Sequence, residues 1–167
     1  EGMAEYSNIF ITNEQALNRV DRGTLLIVVD VHIKNYAEFP DIIDKVEKKV
    51  VIDHHRKSVD HIENAVLYYL ETYASSTCEL VTELIQYMSD RQELRAIEAE
   101  ALMAGITVDT KNFSFKTGVR TFEAASFLRR CGADTTAVKQ LLADEMSTYI
   151  ARAEVVKNAK IIGGNIA

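Results

Sequence analysis

Two short apolar runs, both rich in β-branched residues, constrain the fold of this chain more than any other feature. Residues 24–31 read TLLIVVDV, and residues 48–53 read KKVVID. Continuous apolar runs of this length are typical of strands that are buried on both faces of a parallel sheet. Between them, Pro40 suits the first turn of a short helix. The order strand, helix, strand predicts a parallel β-α-β unit.

The remainder of the chain is mostly helical in pattern. Residues 65–70 predict a third strand, and residues 76–88 begin a helix with the spacing of a capping box. Further helices are predicted over residues 93–108, 121–131, 135–143 and 146–157. We find no repeat and no linker, so we predict one α/β domain over residues 1–167, with a parallel sheet flanked by helices.

Charge and composition limit the classes of partner. The 167-residue chain has a formal net charge of −6. Proteins that bind duplex nucleic acid need a basic surface, so this charge argues against such a partner. A small anionic substrate held by metal ions remains compatible, because the metal supplies positive charge locally. Cys78 and Cys131 are too few for a disulfide framework, and no apolar run is long enough to span a membrane, so we expect a cytoplasmic domain with reduced thiols.

Acidic and histidine residues follow both predicted strands. Asp30 and His32 close the first strand, and Asp53, His54 and His55 close the second. Because the carboxyl ends of parallel strands meet at one edge of an open sheet, we expect these residues to share a rim. Carboxylate oxygen and imidazole nitrogen together are ligands that suit Mn²⁺ and similar ions.

A third acid, Asp109, ends a later apolar run and is grouped with this rim. Each acid also has an ordinary structural explanation, because an aspartate after a strand is often a turn residue that hydrogen-bonds its own backbone. The adjacent pair His54-His55 is harder to explain in that way. From these residues alone, a metal site and a purely structural role both remain open.

The run VVIDHH at residues 50–55 is similar to the signature of the DHH phosphoesterase superfamily, which includes exonucleases, oligoribonucleases, inorganic pyrophosphatases and cyclic-di-AMP phosphodiesterases. Three longer segments extend the resemblance: LIVVDVH at 26–32, ENAVLYYLETYASSTCELVTELI at 63–85 and ALMAGITVDTKNFSFKTGVRTFEAASFLRRCGAD at 101–134. In this order they resemble the membrane-anchored cyclic-di-AMP phosphodiesterases of Gram-positive bacteria, from about Phe10 onward.

The resemblance implies a metal centre with two Mn²⁺ ions. Asp30 would bridge the ions, and His54 and Asp109 would be further ligands. Two such ions, about 3.5–4 Å apart, lower the pKa of a bridging water and stabilise charge on the phosphate oxygens. The implied reaction opens cyclic-di-AMP to the linear dinucleotide. Two alternatives stay open. One is an oligoribonuclease or pyrophosphatase of the same superfamily, and the other is a non-catalytic module for nucleotide binding or dimerisation.

The resemblance also implies catalytic and substrate-binding residues. His55 would face the substrate phosphate, and Asp53 would hold an imidazole in the required orientation. Ser75 and Ser76 would contact substrate at the start of a helix, whose N–H groups favour an anion. Arg120 would be a further phosphate contact. The two serines are also compatible with a plain N-cap, and Arg120 with a surface position.

The chain departs from the family pattern at the proposed site. The family carries an earlier segment with a histidine and two aspartates, yet residues 1–23 contain no histidine. The family also carries a C-terminal DHHA1 domain with a GGGH-type motif, whereas Gly163-Gly164 is not followed by histidine. Residues 33–35 read IKN where Arg-Pro-Ser is expected. We therefore expect an N-terminally truncated domain that holds one ion or none and has little activity in isolation.

Association is a further expectation. The resemblance implies a parent protein that is anchored at the inner face of the cell membrane, and we expect it to be a homodimer. A missing first strand would leave an open sheet edge, which favours pairing with another chain. We therefore predict that the chain self-associates at high concentration. A single monomeric species in light scattering would contradict this prediction.

Overall fold

The computed structural model describes residues 9–88 and 94–160. Three parallel strands form the sheet in the order β1 (Leu25–Val29), β2 (Lys48–Asp53) and β3 (Leu67–Leu70). This confirms the predicted parallel sheet. Two strands are shorter than predicted, because β1 ends where the chain turns at Asp30 and β3 begins only at Leu67.

Helices make up most of the remaining described chain. They are α1 (Asn13–Arg19), α2 (Pro40–Lys45), α3 (Thr77–Met88), α4 (Ala96–Asp109), α5 (Val119–Arg130), α6 (Thr135–Leu141) and α7 (Met146–Asn158). The sequence analysis missed α1, although Thr12 and Gln15 form a reciprocal capping box at its start. No helix within residues 9–88 and 94–160 combines the length and apolar character that a membrane crossing requires.

The two faces of the sheet are covered by different helices. Side chains alternate between the faces along each strand. Val28 and Val51 lie on one face and pack against Ile43 of α2. Ile52 lies on the other face and packs against Leu80 of α3. The sheet is therefore flanked by helices on both faces, as predicted.

On the face that carries Ile52, β1 is only partly covered. Leu25, Ile27 and Val29 expose 51%, 54% and 48% of their surface. β1 also lies at the edge of the described sheet, with hydrogen-bonded pairing to β2 alone. An open edge and an exposed apolar strip are the physical basis of the expected self-association, which stays a prediction.

The helical layer depends on a close approach between α3 and α4. A Cβ atom built at Gly105 of α4 would overlap with the Sγ atom of Cys78 in α3. Only the absence of a side chain at Gly105 lets the two helices pack at this distance. The contact lies one turn before Asp109, so it helps to fix the end of α4 beside the sheet.

We predict that Gly105→Ala lowers the free energy of unfolding by about 1–3 kcal/mol, because the added methyl group overpacks the α3–α4 contact. Cys78→Ala in the same background should restore part of the loss by removing the overlapping sulfur. Urea unfolding measures both effects.

Gly118→Ala is the matched control, since a Cβ atom there meets nothing within 4 Å. It should cost less than about 1 kcal/mol, the scale of a changed helix cap. Equal losses in Gly105→Ala and Gly118→Ala, without recovery in the double variant, would contradict the packing explanation.

Candidate metal centre

Asp30 turns the chain directly after β1. Its N–H group donates to the carbonyl oxygen of Ile52 at 3.0 Å, which extends the pairing with β2 by one residue. Its φ angle is +64°, in the left-handed region. That conformation costs of the order of 1–2 kcal/mol, although aspartate tolerates it better than most residues. The turn leaves the Asp30 side chain 59% exposed at the carboxyl end of the sheet.

His54 lies between two acids. Its Nε2 atom is 3.6 Å from Oδ1 of Asp30 and 3.7 Å from Oδ2 of Asp109. Both separations are too long for hydrogen bonds. They fall within the span of about 4.2 Å that two ligand bonds of about 2.1 Å to one cation can cover. Each acid is thus close enough to His54 for the pair to share a cation.

The Nδ1 atom of His54 is a second sign of an unusual environment. It is buried and has no hydrogen-bond partner among the described residues. Buried polar atoms without a partner are uncommon in folded proteins. Metal-binding histidines usually donate their second ring N–H to a carboxylate or a carbonyl. His54 differs from this pattern, because no described residue accepts a hydrogen bond from its second ring nitrogen.

Asp109 is the last residue of α4, where the partial negative charge of the helix end disfavours an acid. Burial raises the pKa of Asp109, and the negative charge of Asp30 adds to this effect while His54 partly offsets it. The two acids thus repel each other. A bound cation would relieve that repulsion.

Asp53 is fully buried at the end of β2 and holds two imidazoles. Its Oδ2 atom is 2.5 Å from Nδ1 of His32, and its Oδ1 atom is 2.7 Å from Nδ1 of His55. Burial by itself would raise the pKa of Asp53, but the hydrogen bonds from His32 and His55 outweigh it and lower the pKa. Asp53 is therefore an ionised acceptor for both rings.

The proton positions on His32 follow from its neighbours. The backbone N–H of Ser58 donates to Nε2 of His32 at 3.0 Å, so Nε2 is an acceptor. Nδ1 must then carry the proton that Asp53 accepts. His32 is 4% exposed and has both ring nitrogens engaged, so it positions Asp53 and does not offer a free ligand atom.

Four of these residues place possible ligand atoms within 4.8 Å of one another: Asp30, Asp53, His54 and His55. Together with Asp109 they form what we call the rim cluster. It contains every residue that the sequence analysis assigned to metal binding or catalysis. Carboxylate and imidazole donors suit several divalent metals and do not select one of them.

Ser75 and Ser76 are buried, at 1% and 0% exposure. The Ser75 hydroxyl donates to Oε2 of Glu79 at 2.5 Å, and Ser76 Oγ accepts from the Glu79 N–H at 3.1 Å. The Thr121 hydroxyl donates to the same Glu79 oxygen at 2.6 Å. Both serines thus fix the start of α3. Their contact with substrate stays a prediction, and this geometry assigns the hydroxyls to internal bonds.

Arg120 lies outside the rim cluster. Its guanidinium donates to both carboxylate oxygens of Glu83, at 2.7 and 2.6 Å, and it lies in a separate cavity of about 870 Å³ with Tyr69 and Tyr87. The hydrogen bonds to Glu83 raise the pKa of Arg120. The predicted phosphate contact stays a prediction, and the pairing with Glu83 does not favour it.

The sequence analysis grouped His32 with the rim residues but gave it no role of its own, and it did not place Glu79 at the site. His32 was visible only as a histidine two residues after Asp30, and spacing does not reveal that it turns inward to Asp53. Glu79 occupies the acidic position of the capping box that was predicted at the start of residues 76–88. Its 1% exposure depends on how α5 packs against α3.

Known proteins resemble this chain over most of its length. The family model described as "DHH family, N-terminal domain" matches residues 2–106. The chain is 47% identical over 158 residues to the cyclic-di-AMP phosphodiesterase GdpP of Bacillus subtilis (strain 168), covering 95% of this chain and 24% of that protein. It is 43% identical over 166 residues to the cyclic-di-AMP phosphodiesterase PdeA of Listeria monocytogenes serotype 1/2a (strain 10403S), covering 98% and 25%. The chain thus spans about a quarter of the length of these relatives.

Among solved structures, an exopolyphosphatase-related protein from Bacteroides fragilis matches with a TM-score of 0.73. The match covers 96% of this chain and 46% of that chain, at 20% sequence identity. At this identity the match shows a shared fold.

We predict that His32→Ala lowers the free energy of unfolding by about 2–3 kcal/mol, because it removes a donor from a buried carboxylate. His32→Asn should lose less, since its amide nitrogen can occupy the place of Nδ1. His61→Ala, which removes a half-buried ring that packs edge-on against Tyr68, serves as the control. Urea unfolding at pH 7 that gives equal losses for His32→Ala and His61→Ala would contradict the role assigned to His32.

Proposed function

Because the chain belongs to the DHH family, we propose that it is part of a metal-dependent phosphodiesterase that opens cyclic-di-AMP to the linear dinucleotide. The observation that carries this proposal is the convergence of Asp30, His54 and Asp109 at the carboxyl end of the sheet. The names of the relatives support the dinucleotide substrate. The activity is proposed for a protein of the relatives' length, of which this chain is about a quarter.

Within this proposal, Asp30, His54 and Asp109 hold the cation, for which we propose Mn²⁺. A divalent ion bound there supplies the charge that activates water and polarises the phosphate oxygens. Three protein ligands leave further coordination positions open to water and substrate. Asp30 is the residue best placed to reach a second ion, because its carboxylate is the most exposed of the three ligands.

His55 is the proposed contact with the reacting phosphate. Oδ1 of Asp53 accepts from both the backbone N–H and the Nδ1 of His55, at 3.2 and 2.7 Å. A carboxylate only accepts, so Nδ1 carries a proton and the ring is fixed in one orientation. The Nε2 atom is then left to face the phosphate, and the side chain is 57% exposed. Asp53 acts through His55 and is a positioning residue.

We also propose that the protein of which this chain is part is a homodimer anchored at the inner face of the cell membrane, with this domain in the cytoplasm. The support for association is the exposed apolar strip of β1, formed by Leu25, Ile27 and Val29. The support for the anchor is the resemblance to membrane-anchored phosphodiesterases.

We predict that Asp30→Asn lowers kcat/KM for cyclic-di-AMP in the full-length protein by at least about a hundredfold, the scale of losing one charged contact to the reacting centre. Asparagine keeps the size of the side chain and tolerates the left-handed backbone, so the variant changes mainly the charge. Chromatography of the products in the presence of Mn²⁺ measures the rate. Asp41→Asn, which removes an exposed acid from the first turn of α2, should keep the wild-type rate.

The substrate is tested by a panel. Cyclic-di-AMP should give the highest kcat/KM when it is compared with the linear dinucleotide, a short oligoribonucleotide and pyrophosphate. Preference for one of the other three would contradict the proposal and identify a different activity of the superfamily. No turnover of any substrate, together with no Mn²⁺ binding, would indicate a non-catalytic module.

A further inference from the structure

One cavity joins the rim cluster to residues that have no role in the proposed reaction. It has a volume of about 470 Å³, and Asp30, Asp53 and His55 form part of its wall. Tyr36 and Arg56 line the rest of it, together with three residues near the end of β1. Small-molecule sites usually measure about 300–1,000 Å³. A ligand whose phosphate lies at the rim cluster would therefore have room for its remaining atoms here.

Tyr36 presents an aromatic ring to this cavity. It ends the short 3-10 helix Lys34–Tyr36, which is closed by a hydrogen bond of 3.0 Å from the Tyr36 N–H to the carbonyl oxygen of Ile33. The residue is 76% exposed, so the ring adds little to the core. Nucleobases stack on exposed aromatic rings of this kind.

Exposed aromatic residues are common, and exposure alone does not define a site. Tyr87 is 88% exposed and Tyr149 is 66% exposed, and neither lines this cavity. Tyr36 differs from them because its cavity wall is shared with the rim cluster. It therefore lies beside the proposed phosphate site, as the other two rings do not.

Arg56 adds positive charge to the same cavity. It directly follows His55 and is exposed. Asp30 and Asp53 are the acidic residues of the cavity wall, and Arg56 is its arginine. A phosphate that enters this cavity would therefore meet the positive charge of Arg56. A guanidinium presents several donors in one plane and suits phosphate oxygens.

We propose that this cavity is the nucleoside subsite, in which the base of a nucleotide stacks on Tyr36 while the 5′-phosphate of the same nucleotide lies between Arg56 and the rim cluster. The proposal rests on the proposed function for the position of the phosphate. It adds a residue that selects nucleotides over other phosphate esters. That selection is independent of the metal chemistry and can be measured without turnover.

Calorimetric titration with two ligands tests the proposal in the presence of Mn²⁺. Adenosine 5′-monophosphate carries the base, and ribose 5-phosphate carries the same phosphate without it. The wild-type protein should bind the nucleotide about tenfold more tightly, the scale of one stacked base. Tyr36→Ala should abolish that preference and leave ribose 5-phosphate affinity unchanged, whereas Tyr36→Phe and the control Tyr149→Ala should keep it.

Equal affinity of the wild-type protein for both ligands would overturn the subsite, as would a preference that survives in Tyr36→Ala. If the two ligands bind equally tightly and their binding needs Mn²⁺ and Asp30, the metal centre stands while the subsite fails. If the nucleotide preference needs Tyr36 but binding is unchanged without Mn²⁺ and in Asp30→Asn, the subsite stands and the metal centre fails. Failure of both ligands to bind overturns both.

Discussion

Concentrated negative charge at the carboxyl end of the sheet is the constraint on which the account of this molecule depends. Asp30 and Asp109 approach the same nitrogen of His54, and ionised Asp53 is buried beside them. Asp30 takes a strained backbone conformation, and Asp109 stands at the unfavourable end of a helix. Unfavourable features that gather at one place are expected where function requires them. The proposed shared cation would account for all of them together.

The scaffold holds these charges in place through separate contacts. The parallel register of β1 and β2 sets Asp30 beside the residues that follow β2. The close α3–α4 contact at Gly105 fixes the end of α4, and hence Asp109. Asp53 orients His55 and is itself held by His32. The proposed metal ligands, the residues that orient them and the residues that pack the helices are thus different. Substitutions in these three groups should therefore change metal binding, site geometry and stability separately.

The sheet and its rim could be predicted from local sequence, because continuous β-branched runs indicate buried parallel strands and because topology brings their ends together. The residues that follow β1 and β2 were grouped correctly for that reason. Asp109 was grouped with them on weaker grounds, since its approach depends on helix packing that spacing does not show. Helix α1 was missed even though its capping box, Thr12 with Gln15, is readable in the sequence.

The partners of individual polar residues could not be predicted. Ser75 and Ser76 were expected beside substrate, yet they bond Glu79 inside the domain. Arg120 was expected at a phosphate, yet it pairs with Glu83 across 37 residues of sequence. The hydrogen-bond partner of such a side chain depends on which helices pack together, because the same group can bond to a local or a distant residue. A role for Tyr36 could not be predicted from the sequence. Only the folded structure shows that its exposed ring lines a cavity next to the rim cluster.

Anomalous scattering from a crystal grown with Mn²⁺ tests the central claim most directly. We predict a manganese peak at about 2.0–2.3 Å from Nε2 of His54 and from carboxylate oxygens of Asp30 and Asp109. The peak should be lost in Asp30→Asn. A peak at another place, or density in which the three side chains diverge from one another with Mn²⁺ present, would contradict the account.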